Sequence, residues 1–353
     1  MSRMISVLRG GVVFALLVLL CGGAAQAQGK WSKAAPFPEP EEELYGVTAG
    51  GKMYVMEGFG SDGVPVGMVW EYDPATDKWT KKKKMALPAH HVALVGYNNK
   101  IYAFGGYTLH PVAQGFGGWT PIDNAWEYDP SADTWKALSP MPTKRGSPVA
   151  VEAGGKIYVI GGAVPEPGSN QPAVFLSGPA RSVGTNEVFD LATGTWESRS
   201  SMPTPRNHAF GGSVNGKIYV IGGRVSHPFI IVASNVDIVE EYDPATNTWG
   251  AAKAQMPTAR SGGGWATYNG KIYVAGGETQ TGPTLGAFRA LEAYDPSTNT
   301  WQILPMMPTP RHGVAAGFLG NRLHLVSGKI SSGGYEPGLH LSTGAHDVFE
   351  IPQ

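Results

Sequence analysis

The chain has 353 residues, with 27 Lys and Arg against 28 Asp and Glu, so neither nucleic acid nor an anionic membrane surface is expected as a partner. Its 49 Gly and 28 Pro mark a chain rich in turns, while a 42% hydrophobic content argues against disorder. The one cysteine, Cys21, falls in the leader described next, so no disulfide, thiolate metal site or cysteine nucleophile is expected in the mature protein.

Residues 1–27 read as a secretory signal. Arg3 and Arg9 supply the positive start, Gly11 to Leu20 the apolar middle and Ala25-Gln26-Ala27 the small-x-small cleavage site. Cleavage near Ala27 predicts a secreted or periplasmic protein that begins near Gln28. Cys21 could suggest a lipoprotein, but Leu20 before it is bulky where lipidation needs a small residue. The apolar run is too short for a membrane span and no second one follows.

From residue 51 onward one short pattern recurs. GKMYVMEG ends at Gly58, NKIYAFGG at Gly106, GKIYVIGG at Gly162 and again at Gly223, GKIYVAGG at Gly277 and NRLHLVSG at Gly328. A polar turn, alternating β-branched and aromatic residues and a terminal glycine pair predict a strand between tight turns. Each copy leads through a variable loop to a second strand ending in an aromatic and an acid: Tyr72-Asp73, Tyr128-Asp129, Phe189-Asp190, Tyr242-Asp243 and Tyr294-Asp295. A tryptophan follows seven residues after each aromatic, at Trp79, Trp135, Trp196, Trp249 and Trp301. Pro, Asp and Asn between them predict a turn joining antiparallel strands. Then come Met-Pro-Thr-x-Arg segments, Met141 to Arg145, Met202 to Arg206, Met256 to Arg260 and Met307 to Arg311, before the next cycle.

A period near 50 residues with paired Gly, Tyr-Asp and Trp resembles the kelch repeat. The resemblance covers the mature sequence and implies an all-β, six-bladed β-propeller of four-stranded antiparallel blades, as one domain over 28–353. Glu57-Gly58 and Ser327-Gly328 depart from the glycine pair. The sixth unit stops at Phe349-Glu350 without its own tryptophan, and Trp31 stands unclaimed near the start. The N-terminal strand is therefore expected to complete the last blade and close the ring.

With the four strands of a unit lettered a to d, the a-b and c-d turns fall on one face, and the b-c and d-a connections on the other. The first set is short and repetitive. The b-c loops are long and unlike one another, running from Gly106 to about Asp123, Gly162 to Thr185, Gly223 to Asp237, Gly277 to Ala290 and Gly328 to Ala345. Binding is expected on that face.

Three residues beyond a proline in each d-a segment stand Glu41, His91, Arg145, Arg206, Arg260 and Arg311. As a ring at the channel mouth they would suit an anion held by bidentate guanidinium bonds; as parts of the repeat the arginines would tie strand ends together. Close by in sequence are Asn207, His208 and His312. Past the glycines come Phe59, Tyr107, Arg224, Glu278 and Lys329, followed by His110, Trp119, His227, Arg289 and Tyr335. These aromatic, Arg and His side chains suit a sugar or a peptide. The histidines show no i, i+4 ligand spacing, and neighbours such as His90 and His91 point apart in a strand, so no metal is expected. No cofactor is expected either.

The reading that follows is a monomeric, non-catalytic module holding a protein, peptide or glycan on the loop face. The alternative, implied by resemblance to periplasmic kelch propellers, is a sialic acid mutarotase in which Glu41 or His91 moves the proton and Arg206, Arg260 or Arg311 holds the carboxylate. Galactose oxidase-like copper chemistry is not expected, because it needs a cysteine crosslinked to tyrosine.

Overall fold

The computed structural model describes residues 29–352 apart from 61, 112–117, 169–172, 176–177, 282–283 and 334–340. The leader over 1–27 and Tyr335 lie outside the described residues. Six four-stranded antiparallel sheets surround a channel. Blade 1 consists of Glu42–Ala49, Lys52–Phe59, Pro65–Asp73 and Lys78–Lys81, its strands a to d from the channel outward. Strand a of every blade touches strand a of the blades on either side, which places blade 6 against blade 1. In blade 6, Ala315–Leu319, Arg322–Val326 and His346–Glu350 take Lys30–Lys33 as their outer strand, with Trp31 opposite Phe349. The N-terminal strand thus closes the ring as expected, and no sheet edge is left at a seam.

The seven-residue spacing from aromatic to tryptophan is a pairing register. Tyr72 faces Trp79, Tyr128 faces Trp135, Phe189 faces Trp196, Tyr242 faces Trp249 and Tyr294 faces Trp301 across the c-d turn. Four of these tyrosine hydroxyls donate to the left-handed residue that bends the turn, Asp77, Asp133, Asn247 or Asn299. Blade 3 has Phe189, which has no hydroxyl, and there the bend residue is Gly194. The tryptophans are half-buried. Each indole N–H donates to a carbonyl in the segment leaving the preceding blade, as Trp301 does to Ala254 at 2.9 Å and Trp31 to Pro305 at 3.1 Å. They bind blade to blade instead of filling a blade's interior.

The glycine pairs also connect blades. Gly106, Gly162, Gly223 and Gly277 donate their N–H to the carbonyls of Arg145, Arg206, Arg260 and Arg311 in the next blade. The approach leaves no space for a side chain: a Cβ on Gly276, whose φ is +63°, would lie 2.3 Å from the Arg311 carbonyl oxygen. Apolar side chains from both faces of strand b fill the clefts between blades, as Val159 and Ile160 do on either side of blade 3.

Candidate functional site

The register of the d-a segments is set by backbone bonds from Met85, Met141, Met202, Met256 and Met307, each donating its N–H to the start of strand c or to the segment that enters it. Met85 aligns Ala89, and not His91, with the arginines. Counting from Pro88 placed blade 2 two residues out, because its segment reads Met-Ala-Leu-Pro-Ala.

The four arginines do not line the channel mouth. Arg145, Arg206, Arg260 and Arg311 are fully buried and paired within their own blades to Glu187, Glu240, Glu292 and Asp347 at 2.5–2.7 Å. Their remaining N–H groups reach strand carbonyls such as Val159, Val220 and Val274. Burial lowers the pKa of Arg311 to about 10 against the opposing pull of Asp347, which still leaves it charged. Each acid stands two residues before the aromatic of strand c. Where the arginine is absent the acid is absent too: Glu41 and Ala89 go with Trp70 and Trp126. The anion-binding ring is therefore corrected to an architectural set, and the carboxylate clamp that the mutarotase reading required of Arg206, Arg260 or Arg311 is not formed.

Two residues past this position the chain turns left-handed in every blade, at Glu43, His91, Ser147, His208, Gly262 and Gly313, with φ between 50° and 63°. Each of these residues projects toward its counterpart. Ser147 N–H donates to His91, His208 to Ser147, Gly262 to His208 and Gly313 to Gly262, and Leu44 donates to Gly313, so a belt of backbone bonds narrows the channel. The residues just before them, Glu42, His90, Gly146, Asn207, Ser261 and His312, pair with Phe59, Tyr107, Ala163, Arg224, Glu278 and Lys329 past the glycines. These three positions vary from blade to blade.

They converge on one buried polar cluster. Glu43 lies at its centre, with Oε2 3.4 Å from His91 Nε2 and Oε1 3.3 Å from His312 Nε2. Burial would raise the Glu43 carboxyl, yet His91 and His312 hold it well below the ordinary range. His312 donates Nδ1–H to the Ser331 carbonyl at 2.6 Å, and although burial opposes it, Glu278 and Glu43 lift its pKa to about 9. Arg224 pairs with Glu278 at 2.6 Å and Lys329 with Glu42 at 3.1 Å. Glu57 takes the first glycine's place at φ 76°. Its Oε2 accepts from Val92 N–H at 2.7 Å, and burial pushes the carboxyl well above its ordinary range against that bond. Tyr107, Trp119, Phe59 and Phe229 roof the cluster, with Trp119 stacked on Phe229 at 5.1 Å. A cavity of about 50 Å³ lies between roof and cluster.

His91, His208, His312, Tyr107, Arg224 and Glu278 are thus brought together, His91 from a register two residues away from the one its proline predicts. Glu41 stays apart on the rim of blade 1, half-buried, its carboxyl raised to about 7 by burial and by Glu39, Asp62 and Glu42. Glu43 and Glu57 were not anticipated; aligning the residue two past each arginine would have shown Glu43 beside His91 and His208. Their ligand atoms matter as well. Glu43, His91 and His208 offer donors within 4.8 Å of one another, as do Glu43, Glu278 and His312. A groove of about 850 Å³ opens on the opposite face, and its lining shares no residue with the cluster. No helix among the described residues is long and apolar enough to cross a membrane.

Comparison with known proteins places these features. A "Kelch motif" model matches residues 46–86 and 88–142, and a "KLHDC2/KLHL20/DRC7 Kelch-repeats domain" model matches 180–328. Kelch-like protein terF of Aspergillus terreus is 28% identical over 339 residues, 91% of this chain and 71% of that protein. Kelch-like protein 23 of Homo sapiens is 29% identical over 79% of this chain and 44% of its own length. Kelch-like protein 15 of Danio rerio is 28% identical over 70% and 39%. The chain therefore spans less than half the length of these two vertebrate relatives.

Proposed function

The chain is built of kelch repeats closed into a six-bladed β-propeller, and from that premise we propose that it is a binding module that docks a protein partner on its b-c loop face. One observation carries the proposal. Of the seven large hydrophobic side chains exposed among the described residues, Val64, Ile231, Val232, Leu285 and Ile330 stand on b-c loops of four different blades. Exposed apolar groups gathered on one face mark an interaction surface. Short two-stranded ribbons within these loops, such as Arg224–Val225 with Ser234–Asn235, hold the face in shape, which lowers the ordering cost of binding.

A protein is favoured over a glycan because the exposed groups are aliphatic. The aromatic rings that would stack on a sugar, Tyr107 and Trp119, are buried in the roof of the cluster. The relatives named Kelch-like protein support the same choice. Export is part of the proposal: residues 1–27 act as a cleaved signal, and the intact mass of the protein from its host would then begin at Gln28.

The test is a charge substitution on the face. Once a partner has been isolated with the wild-type protein, Ile231→Glu with Val232→Glu should weaken its binding by about tenfold or more, with the melting temperature unchanged. Unaltered affinity would move the docking surface elsewhere.

A further inference from the structure

We propose that the cluster binds one divalent transition-metal ion of the zinc type through Glu43, His91 and His208. These residues occupy the same repeat position in blades 1, 2 and 4, where the left-handed backbone turns each side chain toward the axis. Their donor atoms lie within 4.8 Å of one another, and all three residues are buried. The proposal stands apart from the docking surface, since it concerns groups beneath the loops.

The spacing fits an ion better than it fits hydrogen bonds. Donors roughly 2.0–2.2 Å from a shared tetrahedral ion stand roughly 3.3–3.5 Å apart. His91 Nε2 and Glu43 Oε2 are separated by 3.4 Å, longer than the roughly 2.7–2.9 Å of a charge-assisted hydrogen bond. Glu43 Oε2 is fully buried and has no hydrogen-bond partner. A buried carboxylate oxygen without a partner is costly, and a cation relieves it.

In both imidazoles the outer nitrogen Nδ1 is engaged and Nε2 faces the cluster, and for His208 the outer partner is a carbonyl oxygen, as in metal ligands. His208 Nδ1 lies 2.5 Å from Asn207 Oδ1, so Nδ1–H donates and the lone pair is on Nε2, where the Ser147 hydroxyl lies 3.3 Å away and would yield to an ion. His91 directs Nδ1 at His90 Nδ1 and leaves Nε2 for Glu43. Two imidazoles and one carboxylate, with no thiolate, select zinc, iron(II), cobalt or nickel over calcium and magnesium, which take oxygen ligands. Three protein ligands leave a fourth position, and the cavity of about 50 Å³ that these residues help line has space for water there. The set of Glu43, Glu278 and His312 is less apt. Arg224 already binds one Glu278 oxygen, and Ser332 with the Gly333 N–H binds the other.

The experiment uses the purified protein, stripped with chelator and titrated with Co²⁺, with ligand-field absorption as the readout and bound zinc measured after dialysis. One ion per chain is expected, and Glu43→Gln, His91→Asn and His208→Asn should each lower the affinity by about tenfold or more. Asn207→Ala should lower it less, and His312→Asn should leave the absorption bands in place. Circular dichroism and melting verify that every variant scored is folded. Absence of saturable binding by folded wild-type protein would overturn the proposal. So would stoichiometric binding retained in both His91→Asn and His208→Asn, or loss confined to His312→Asn.

Discussion

Arg260 shows at the scale of one residue how a repeat-wide feature that allows two readings, an anion ring or a tie between strands, is resolved as the tie. Its guanidinium is buried, paired to Glu292 at 2.5 Å, and donates to the carbonyls of Val274 and Gly276. Removing one partner leaves an uncompensated buried charge, so Arg260→Ala should lower the unfolding free energy by about 3–5 kcal/mol. Arg260→Met with Glu292→Leu should recover most of that loss, because burying the ion pair itself costs desolvation. Urea titrations of the two variants measure both. The pairing was legible in principle, since Arg and acid appear and vanish together from blade to blade. It was obscured because the acid lies on another strand, 32 residues downstream in blade 5. His91 was misplaced for a different reason: Pro88 sits two positions later in its segment than the other prolines do.

At the scale of the element, the strands, the tryptophan register and the closing strand could all be read from spacing, because period-2 patterning and turn chemistry are local. The inner polar cluster could not, as its members meet only when six blades close. One element has a pH dependence of its own. On strands b and c of blade 6, His324 Nδ1 and His346 Nε2 lie 2.8 Å apart, and His346 Nδ1 donates to the Ala35 carbonyl at 3.0 Å. Tyr72 packs edge-on against His346, with Asp77, Arg322 and Arg311 as the charges nearby. Burial, aided by His346, lowers His324 to about 3, and burial lowers His346 to about 4 against the Ala35 carbonyl. The folded pair resists protons that the unfolded chain takes up below its ordinary pKa of about 6.5. Stability is therefore full above pH about 6.5 and falls as the pH drops toward 3, by on the order of a few kcal/mol. In His324→Leu the decline between pH 7 and pH 4 should be shallower, as urea midpoints at the two values would record. An equal decline would refute this origin.

At the scale of the whole molecule, closure and function divide the chain between what repeats and what varies. Lys30–Lys33 bring Trp31 against Phe349 at 4.9 Å and join the two ends of the ring. Deleting residues 29–33 should lower the unfolding free energy by about 3–5 kcal/mol, the cost of removing a large packed aromatic, and broaden the thermal transition. The repeated residues lie at the glycine pairs, the arginine-acid pairs and the tryptophan staples, and every one of them bonds blade to blade or strand to strand. The residues that differ face the channel mouth and the b-c loops. Photo-crosslinking in the host tests this division most directly, with a photoreactive residue placed at Val232 or Leu285 on the loop face and at Gly154 or Gly270 on the opposite turns. Adducts with one defined protein from the first two positions and none from the other two are the result predicted, whereas the same protein captured from Gly154 or Gly270 would contradict the account.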